Sequence, residues 1–151
     1  MIRNIIQYPD KRLLQPSTPV TLREDGSYSD EVRAVISDLF QTMVKGRGYA
    51  LAAVQIGESI NVIAVDPKMF YGFTVLVNPE IIKRGHQIET SMEGCMSIGM
   101  GRPRFQVRRH RVITVKFLDK AGIERVQVAK GLPARIVQHE IDHLAGKLIL
   151  G

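Results

Sequence analysis

The chain is poor in cysteine: its 151 residues include only one, Cys95. A single cysteine cannot form an intrachain disulfide, which fits a reducing cytosol and a thiol that is kept for chemistry. No apolar run approaches the roughly 18 residues that suggest a membrane span. Residues 1–4 do not begin a signal-peptide pattern. We therefore expect a cytoplasmic protein that is not associated with a membrane.

The chain also lacks internal repeats and low-complexity tracts. Its hydrophobic content of 44% and charged content of 24% are ordinary for a globular protein. A chain of this length can bury a hydrophobic core and is most economically one domain. We expect a single catalytic domain over residues 1–151 and a monomer.

Positive charge is in excess, with a formal net charge of +6. Such a charge permits an acidic partner such as RNA or a ribosome surface, but no nucleic-acid-binding motif accompanies it, and we predict no DNA binding.

Five arginines lie close together in one short stretch: Arg102, Arg104, Arg108, Arg109 and Arg111. The usual explanation of such a run is a solvated strand and turn. The alternative is that one of these arginines meets a substrate carboxylate or carbonyl, or a phosphate backbone.

Hydrophobic spacing predicts two helices. Ser29 is a plausible N-cap, and the apolar residues that follow recur at helical spacing, which predicts an amphipathic helix over roughly 30–45. A second helix should begin near Leu132, because Pro133 is tolerated in a first helical turn. Gly146 is the expected end of this second helix.

Several short strands are expected between the two helices, in segments that are rich in β-branched and aromatic residues or that alternate apolar with polar residues. They are Asn61–Asp66, Phe73–Asn78, Val112–Phe117 and Arg125–Ala129. Ala121 and Gly122 fall between the last two segments and predict a hairpin turn. One helix, a block of strands and a second helix form an α+β order rather than an alternating βαβ order.

The strongest chemical signal is the motif HEIDH at residues 139–143. Residues four apart on a helix lie on one face, with Cβ atoms about 5–6 Å apart, so His139 and His143 can hold one metal ion. Glu140 can then reach a metal-bound water as a base. Cys95 is a third candidate ligand, and three ligands leave an open coordination position. We expect small sheets packed around this metal-binding helix, in a metallohydrolase.

Three segments suggest a family. They read GYALAAVQ at residues 48–55, EGCMS at 93–97 and QHEIDHL at 138–144. Together they resemble the three motifs of the peptide deformylase family, G-x-G-x-A-A-x-Q, E-G-C-x-S and Q-H-E-x-D-H, in the family's order and at comparable separations. Residues 8–13 also look like the family's N-terminal stretch, so the resemblance covers nearly the whole chain.

The resemblance implies a metal-dependent hydrolase that removes the N-terminal formyl group from nascent formyl-methionyl peptides. It implies one divalent metal held by Cys95, His139 and His143, with ferrous iron preferred and zinc, nickel or cobalt as substitutes. Glu140 would act as the general acid and base on the metal-bound water.

The resemblance also implies how the substrate is held. The Gln55 amide and the backbone N–H of Met96 would donate hydrogen bonds to the developing oxyanion. The peptide would lie as an added strand near the first and second motifs, with its methionine side chain in an apolar pocket. The candidate substrate-binding residues are Gly48, Tyr49, Ala50, Glu93, Gly94, Leu132 and Ile136. A transient contact with the ribosome is a further expectation.

Two acidic residues near the motifs are expected to support the metal site without binding the metal themselves. Glu93 would support the site or form an ion pair, and Asp142 would orient a ligand or pair with an arginine. Gly94 would allow close backbone approach at the metal loop.

The chain departs from the family pattern at three positions: Ala50 replaces a glycine, Met96 stands where leucine is usual, and Gly99 follows where many relatives have proline. These changes leave two other functions open. One is a deformylase-like hydrolase with a different substrate range. The other is a non-catalytic module that binds peptide N-termini, although binding alone needs neither Glu140 nor Gln55. An HExxH endopeptidase is a weaker alternative, because a thiolate third ligand is unusual in that class.

Overall fold

A computed structural model describes residues 1–150 and has an α+β architecture. Along the chain, seven strands follow helix α1 and precede helix α2. Their bounds are α1 Asp30–Lys45, β1 Ala50–Ala52, β2 Val62–Val65, β3 Val75–Arg84, β4 Ile88–Glu93, β5 Phe105–His110, β6 Val112–Leu118, β7 Glu124–Lys130 and α2 Leu132–Leu144.

Local sequence signals set both ends of α1. The Ser29 hydroxyl accepts a hydrogen bond from the Val32 N–H at 3.2 Å, which satisfies one of the free donors of the first turn. Gly46 follows the last helical residue as the C-cap. The predicted range of roughly 30–45 is confirmed, and so is the start of α2 at Leu132 with Pro133 in its first turn.

The strands form two antiparallel sheets. The larger sheet has the order β1-β2-β3-β6-β7, and β4 pairs only with β5 in the smaller one. β6 and β7 form the predicted hairpin, in register from Val112 opposite Lys130 to Leu118 opposite Glu124. Gly122 has a φ of 77° in the connecting turn, where glycine is free of Cβ strain. Strand β1 is an edge of the large sheet, so one side of its backbone is left free for other partners.

Three strands were absent from the prediction, and a fourth is longer than expected. β1 is only three residues long, and β4 is mostly exposed. β5 alternates between exposed and less exposed residues, but polar and charged side chains occupy both sets of positions, so its sequence carries no strong apolar alternation. β3 continues past Asn78 to Arg84. Asn78 has a φ of 51°, and the pairing with β6 shifts register there. Beyond this bulge the strand is largely exposed, so its apolar signal fades.

The large sheet lies between the two helices. Val35, Leu39 and Met43 of α1 pack with Leu51, Val62 and other apolar residues on one face. Ala134, Ile136 and Val137 of α2 pack on the other face, with residues such as Ile63 and Val115. β1 and β2 are consequently buried on both faces, and α2 contacts both edge strands of the large sheet, β1 and β7.

None of the helices within residues 1–150 is both long enough and apolar enough to cross a membrane.

Candidate metal and catalytic site

Helix α2 brings two imidazole nitrogens together with the single thiol. His139 Nε2 and His143 Nε2 lie 3.2 Å apart, and His143 Nε2 lies 3.3 Å from Cys95 Sγ. All three ligand atoms fall within 4.8 Å of one another. One thiolate and two imidazoles converging on a common point fit a divalent transition metal, and the set leaves room for a fourth ligand.

The loop that carries Cys95 is held by a close backbone approach. A Cβ atom on Gly94 would lie 2.6 Å from the carbonyl oxygen of Gly101, so only glycine fits without a backbone shift. Gly99, Met100 and Gly101 all have positive φ angles, of 57°, 56° and 81°. This left-handed stretch turns the chain back over Gly94 and closes the loop around Cys95. The close approach predicted for Gly94 is confirmed.

Glu93 organises the charges behind the metal ligands. Its Oε1 accepts from His139 Nδ1 and from Arg109 Nη2, both at 2.9 Å. Its Oε2 accepts from Arg109 Nε at 2.7 Å and from Arg135 Nη1 at 2.6 Å. Burial alone would raise the pKa of Glu93, but the hydrogen bonds from His139 and Arg109 hold that pKa well below its usual range. An ionised Glu93 keeps the proton of His139 on Nδ1 and directs Nε2 toward the metal position.

Two arginines complete this network: Arg109, which the sequence placed only in the basic stretch, and Arg135, which was not predicted. Four of the five clustered arginines are exposed, but Arg109 is buried, so the solvated interpretation is wrong for it. Its Nη1 also donates to Asp142 Oδ2 at 2.8 Å, which confirms the arginine pairing considered for Asp142. Arg135 precedes His139 by four residues on α2, and this spacing could have placed both on one helix face.

Glu140 is a buried carboxylate with an unsatisfied oxygen. Its Oε1 has no hydrogen-bond partner among residues 1–150. Burial raises the pKa of Glu140 to about 7. A buried carboxylate oxygen without a donor is costly, so it is suited to accept a proton or a ligand hydrogen bond in the cavity that it lines.

Gln55 is held with its amide nitrogen toward the site. It lies in a short 3-10 turn over Ala53–Ile56 that directly follows β1. Its Oε1 accepts from the Ala52 N–H at 3.0 Å, and its Nε2 donates to Ser97 Oγ at 3.0 Å. These contacts fix which end of the amide is the oxygen. Nε2 is then 3.9 Å from Cys95 Sγ, beside the metal ligands. Ser97, also missed by the sequence analysis, is fully buried.

An open cavity of about 390 Å³ reaches these groups. It is lined by all seven candidate substrate-binding residues, Gly48, Tyr49, Ala50, Glu93, Gly94, Leu132 and Ile136, and by Gln55, Cys95, Met96, His139 and Glu140. Five further lining residues were not predicted from the sequence: Arg47, Ser91, Met92, Gly101 and Arg135. Arg104, the sixth, belongs to the basic stretch that was considered for a substrate contact. The walls include the start of β1 and the end of β4, so an extended chain could lie between two strand edges.

Comparison with known proteins gives the family of this site. Residues 2–151 match the family model of polypeptide deformylase. The chain belongs to the peptide deformylase family. It is 37% identical over 155 residues to peptide deformylase 1 of Rickettsia conorii, covering 97% of this chain and 84% of the relative. It is 38% identical over 154 residues to the peptide deformylase of Afipia carboxidovorans, covering 99% and 85%.

Solved deformylase structures share the fold. The peptide deformylase of Ehrlichia chaffeensis superposes with a TM-score of 0.86 at 30% identity, covering 99% of this chain and 87% of the other. An actinonin-bound class I type b peptide deformylase of Acinetobacter baumannii gives 0.87 at 31% identity, covering 99% and 97%. The expected α+β fold and the expected enzyme class, a peptide deformylase, are therefore confirmed.

Proposed function

We propose that this deformylase removes the N-terminal formyl group from formyl-methionyl peptides, with one divalent metal held by Cys95, His139 and His143. The convergence of these three ligand atoms within 4.8 Å is the observation that carries the proposal. Action on nascent peptides would place the enzyme in the cytoplasm, in transient contact with the ribosome. Iron is the metal we expect in cells, with zinc, nickel or cobalt as substitutes.

In this proposal, different residues around the metal position carry out proton transfer and stabilise the oxyanion. When bound, the metal supplies a Lewis acid that polarises the formyl oxygen and lowers the pKa of a water molecule toward neutrality. Glu140 takes a proton from the attacking water and delivers it to the departing amine, so the C–N bond breaks to give formate and a free N-terminus. The Gln55 amide and the Met96 N–H donate to the formyl oxygen as negative charge develops on it.

The peptide is proposed to bind as an added strand in the cavity. The edge of β1 that pairs with no strand, starting at Ala50, and Gly94, directly after β4, offer main-chain hydrogen-bonding groups. Such groups suit a substrate whose sequence varies after its first residue. Leu132 and Ile136 would form apolar walls for the methionine side chain. An Acinetobacter baumannii deformylase with a TM-score of 0.85 has been solved with Met-Ala-Ser bound, which supports a peptide in this class of cavity.

A narrower or altered substrate range is the alternative that the cavity favours. Ala50 places a methyl group in the cavity wall, and Arg47 and Arg104 add positive charge to it. A purely binding function has less support, because a buried Glu140 with a free oxygen is costly and is not needed to hold a peptide.

The test is formate release from formyl-Met-Ala-Ser by anaerobically purified protein of measured metal content. Glu140→Ala should keep the metal and the fold but lose most of kcat, because only the proton carrier is removed. Glu124→Ala, at an exposed carboxylate on β7, is the matched control and should be fully active. Loss of metal from the Glu140 variant, or near-normal turnover, would show that Glu140 is not the general base. A series of formyl-aminoacyl peptides separates the proposed substrate from the altered range.

A further inference from the structure

A segment near the N-terminus joins the two groups proposed to hold the oxyanion. This segment, residues 6–8, is called the strap. The Ile6 N–H donates to the Gln55 carbonyl at 2.8 Å, and the Tyr8 N–H donates to the Ser97 carbonyl at 2.7 Å. Between them, the Gln7 side chain donates from Nε2 to the Met96 carbonyl at 2.8 Å. Three consecutive residues therefore contact Gln55 on one side and the Cys95 loop on the other.

Gln7 supplies the side-chain contact of the strap. It is half-buried, and the bond to Met96 spans 89 residues of sequence. Its Nε2 also lies 3.3 Å from the Ile5 carbonyl oxygen and 3.2 Å from Met100 Sδ. A primary amide has two N–H donors, so the bond to Met96 can be kept while the second donor serves these neighbours.

Met96 is held from two directions. A Cβ atom added to Gly48 would lie 2.7 Å from Met96 Sδ, so the thioether packs closely against the backbone before β1. Gln7 fixes the Met96 carbonyl on the other side. The Met96 N–H belongs to the peptide group of the Cys95 carbonyl, and that carbonyl accepts from the Ile98 N–H at 2.9 Å. Gln7 restrains the next peptide group through the Met96 carbonyl, so both peptide groups that meet at Met96 are held and the position of its N–H is set.

We propose that Gln7 is a positioning residue that aims the Met96 N–H at the developing oxyanion. The inference rests on the proposed function, in which Met96 and Gln55 are the two donors. The strap sets the distance between these donors, because it bonds to the carbonyl groups of both segments. Oxyanion donors are effective because they are in place before negative charge develops on the substrate. If the Met96 carbonyl lost its bond to Gln7, the Met96 N–H would be less well placed. The transition state would then lose more stabilisation than the bound substrate would.

The test changes the hydrogen-bond donor of the Gln7 side chain or its reach. Gln7→Met removes the donor, Gln7→Asn keeps an amide that is one methylene too short, and Gln7→Lys restores a donor. Gln41→Met, in which an exposed α1 glutamine loses a bond to Ser37, is the matched control. We expect kcat for formyl-Met-Ala-Ser to fall about tenfold in the Met and Asn variants, a fraction of the loss for deleting a donor. KM and metal content should stay within twofold, and the Lys variant should recover most of kcat.

A second readout does not depend on activity. In zinc-loaded, isotope-labelled protein, the Ser97 amide resonance should shift in Gln7→Met and Gln7→Asn, because the carbonyl of the same peptide group loses its hydrogen bond. An inactive wild-type protein with normal resonances would refute the proposed function itself. A shifted Ser97 resonance with unchanged kcat would overturn the role of Gln7 alone. So would equal losses in kcat and metal content that Gln7→Lys does not restore. If Gln7→Met fails to fold, Gln7→Asn decides the question by the same measurements.

Discussion

Glu93 Oε1 lies 2.9 Å from His139 Nδ1, and this contact ties the end of β4 to the metal-binding face of α2. The same carboxylate neutralises two buried arginines, Arg109 and Arg135. Glu93 thus serves two purposes, since it orients a metal ligand and it compensates charge that would otherwise be costly to bury. Glu93 lines the cavity, but both oxygens of its carboxylate already accept hydrogen bonds from protein side chains.

Replacing Glu93 by glutamine should therefore weaken metal binding and stability together. Glu93→Gln keeps the shape of the side chain but leaves Arg135 without its counter-charge and Arg109 with only Asp142. We expect metal affinity to fall about 10–100-fold, the usual cost of losing a partner behind a ligand. Competition with a chelator and thermal unfolding would measure the two effects. Glu89→Gln is the control, because Glu89 pairs with Arg111 at a partly exposed site on the same small sheet. Wild-type metal affinity in Glu93→Gln would contradict the orienting role.

A methyl group on Gly94 should displace the Cys95 loop. The nearest atom to the new Cβ would be the Gly101 carbonyl oxygen at 2.6 Å, which is backbone and cannot rotate away. We expect Gly94→Ala to lower stability by about 1–3 kcal/mol, as overpacking commonly does, and to lower metal occupancy. Thermal unfolding and elemental analysis test this expectation.

The control for Gly94 is Gly85→Ala. There the nearest atom would be the Val112 carbonyl oxygen at 3.3 Å, and the φ angle is not left-handed. A smaller effect is expected at Gly85. Equal unfolding temperatures and metal contents for Gly94→Ala and wild type would mean that the Cys95 loop adjusts to the methyl group. The close approach of Gly94 to the Gly101 carbonyl would then not be needed for metal binding or stability.

The sequence predicted the elements whose ends have local causes. Ser29 caps α1 through its own hydroxyl, and Pro133 lies where α2 begins, so neighbouring residues were sufficient. The His139–His143 spacing likewise needs only a helix. Arg109 needed more, because its burial depends on Glu93, 16 residues earlier, and on Asp142, 33 residues later. Partners that only the folded chain brings together cannot be inferred from a local charge pattern.

The metal ligands also predict that activity is sensitive to oxygen. A ferrous ion bound by the Cys95 thiolate would be open to oxidation at both iron and sulfur. Iron-loaded enzyme should therefore lose activity in air faster than nickel-loaded enzyme. Residual formate release and metal content over time, at matched loading, measure this difference. Equal lifetimes would argue that iron is not the working metal.

Ala50 should tune substrate docking and leave the chemical step largely unchanged. It pairs with Val65 in ordinary β conformation, so the alanine carries no torsional strain, and what it changes is the cavity wall. Because one methyl group is worth about 0.8 kcal/mol, we expect Ala50→Gly to let the peptide backbone approach and to lower KM by up to about fourfold. A small loss of stability, about 0.5–1 kcal/mol, should accompany glycine in a strand. Steady-state kinetics at matched metal content decide the question, with Ala121→Gly in the exposed β6–β7 turn as the control.

A large change in kcat with constant KM would instead mean that the segment around Ala50 positions the transition state, because uniform binding is expressed in KM alone.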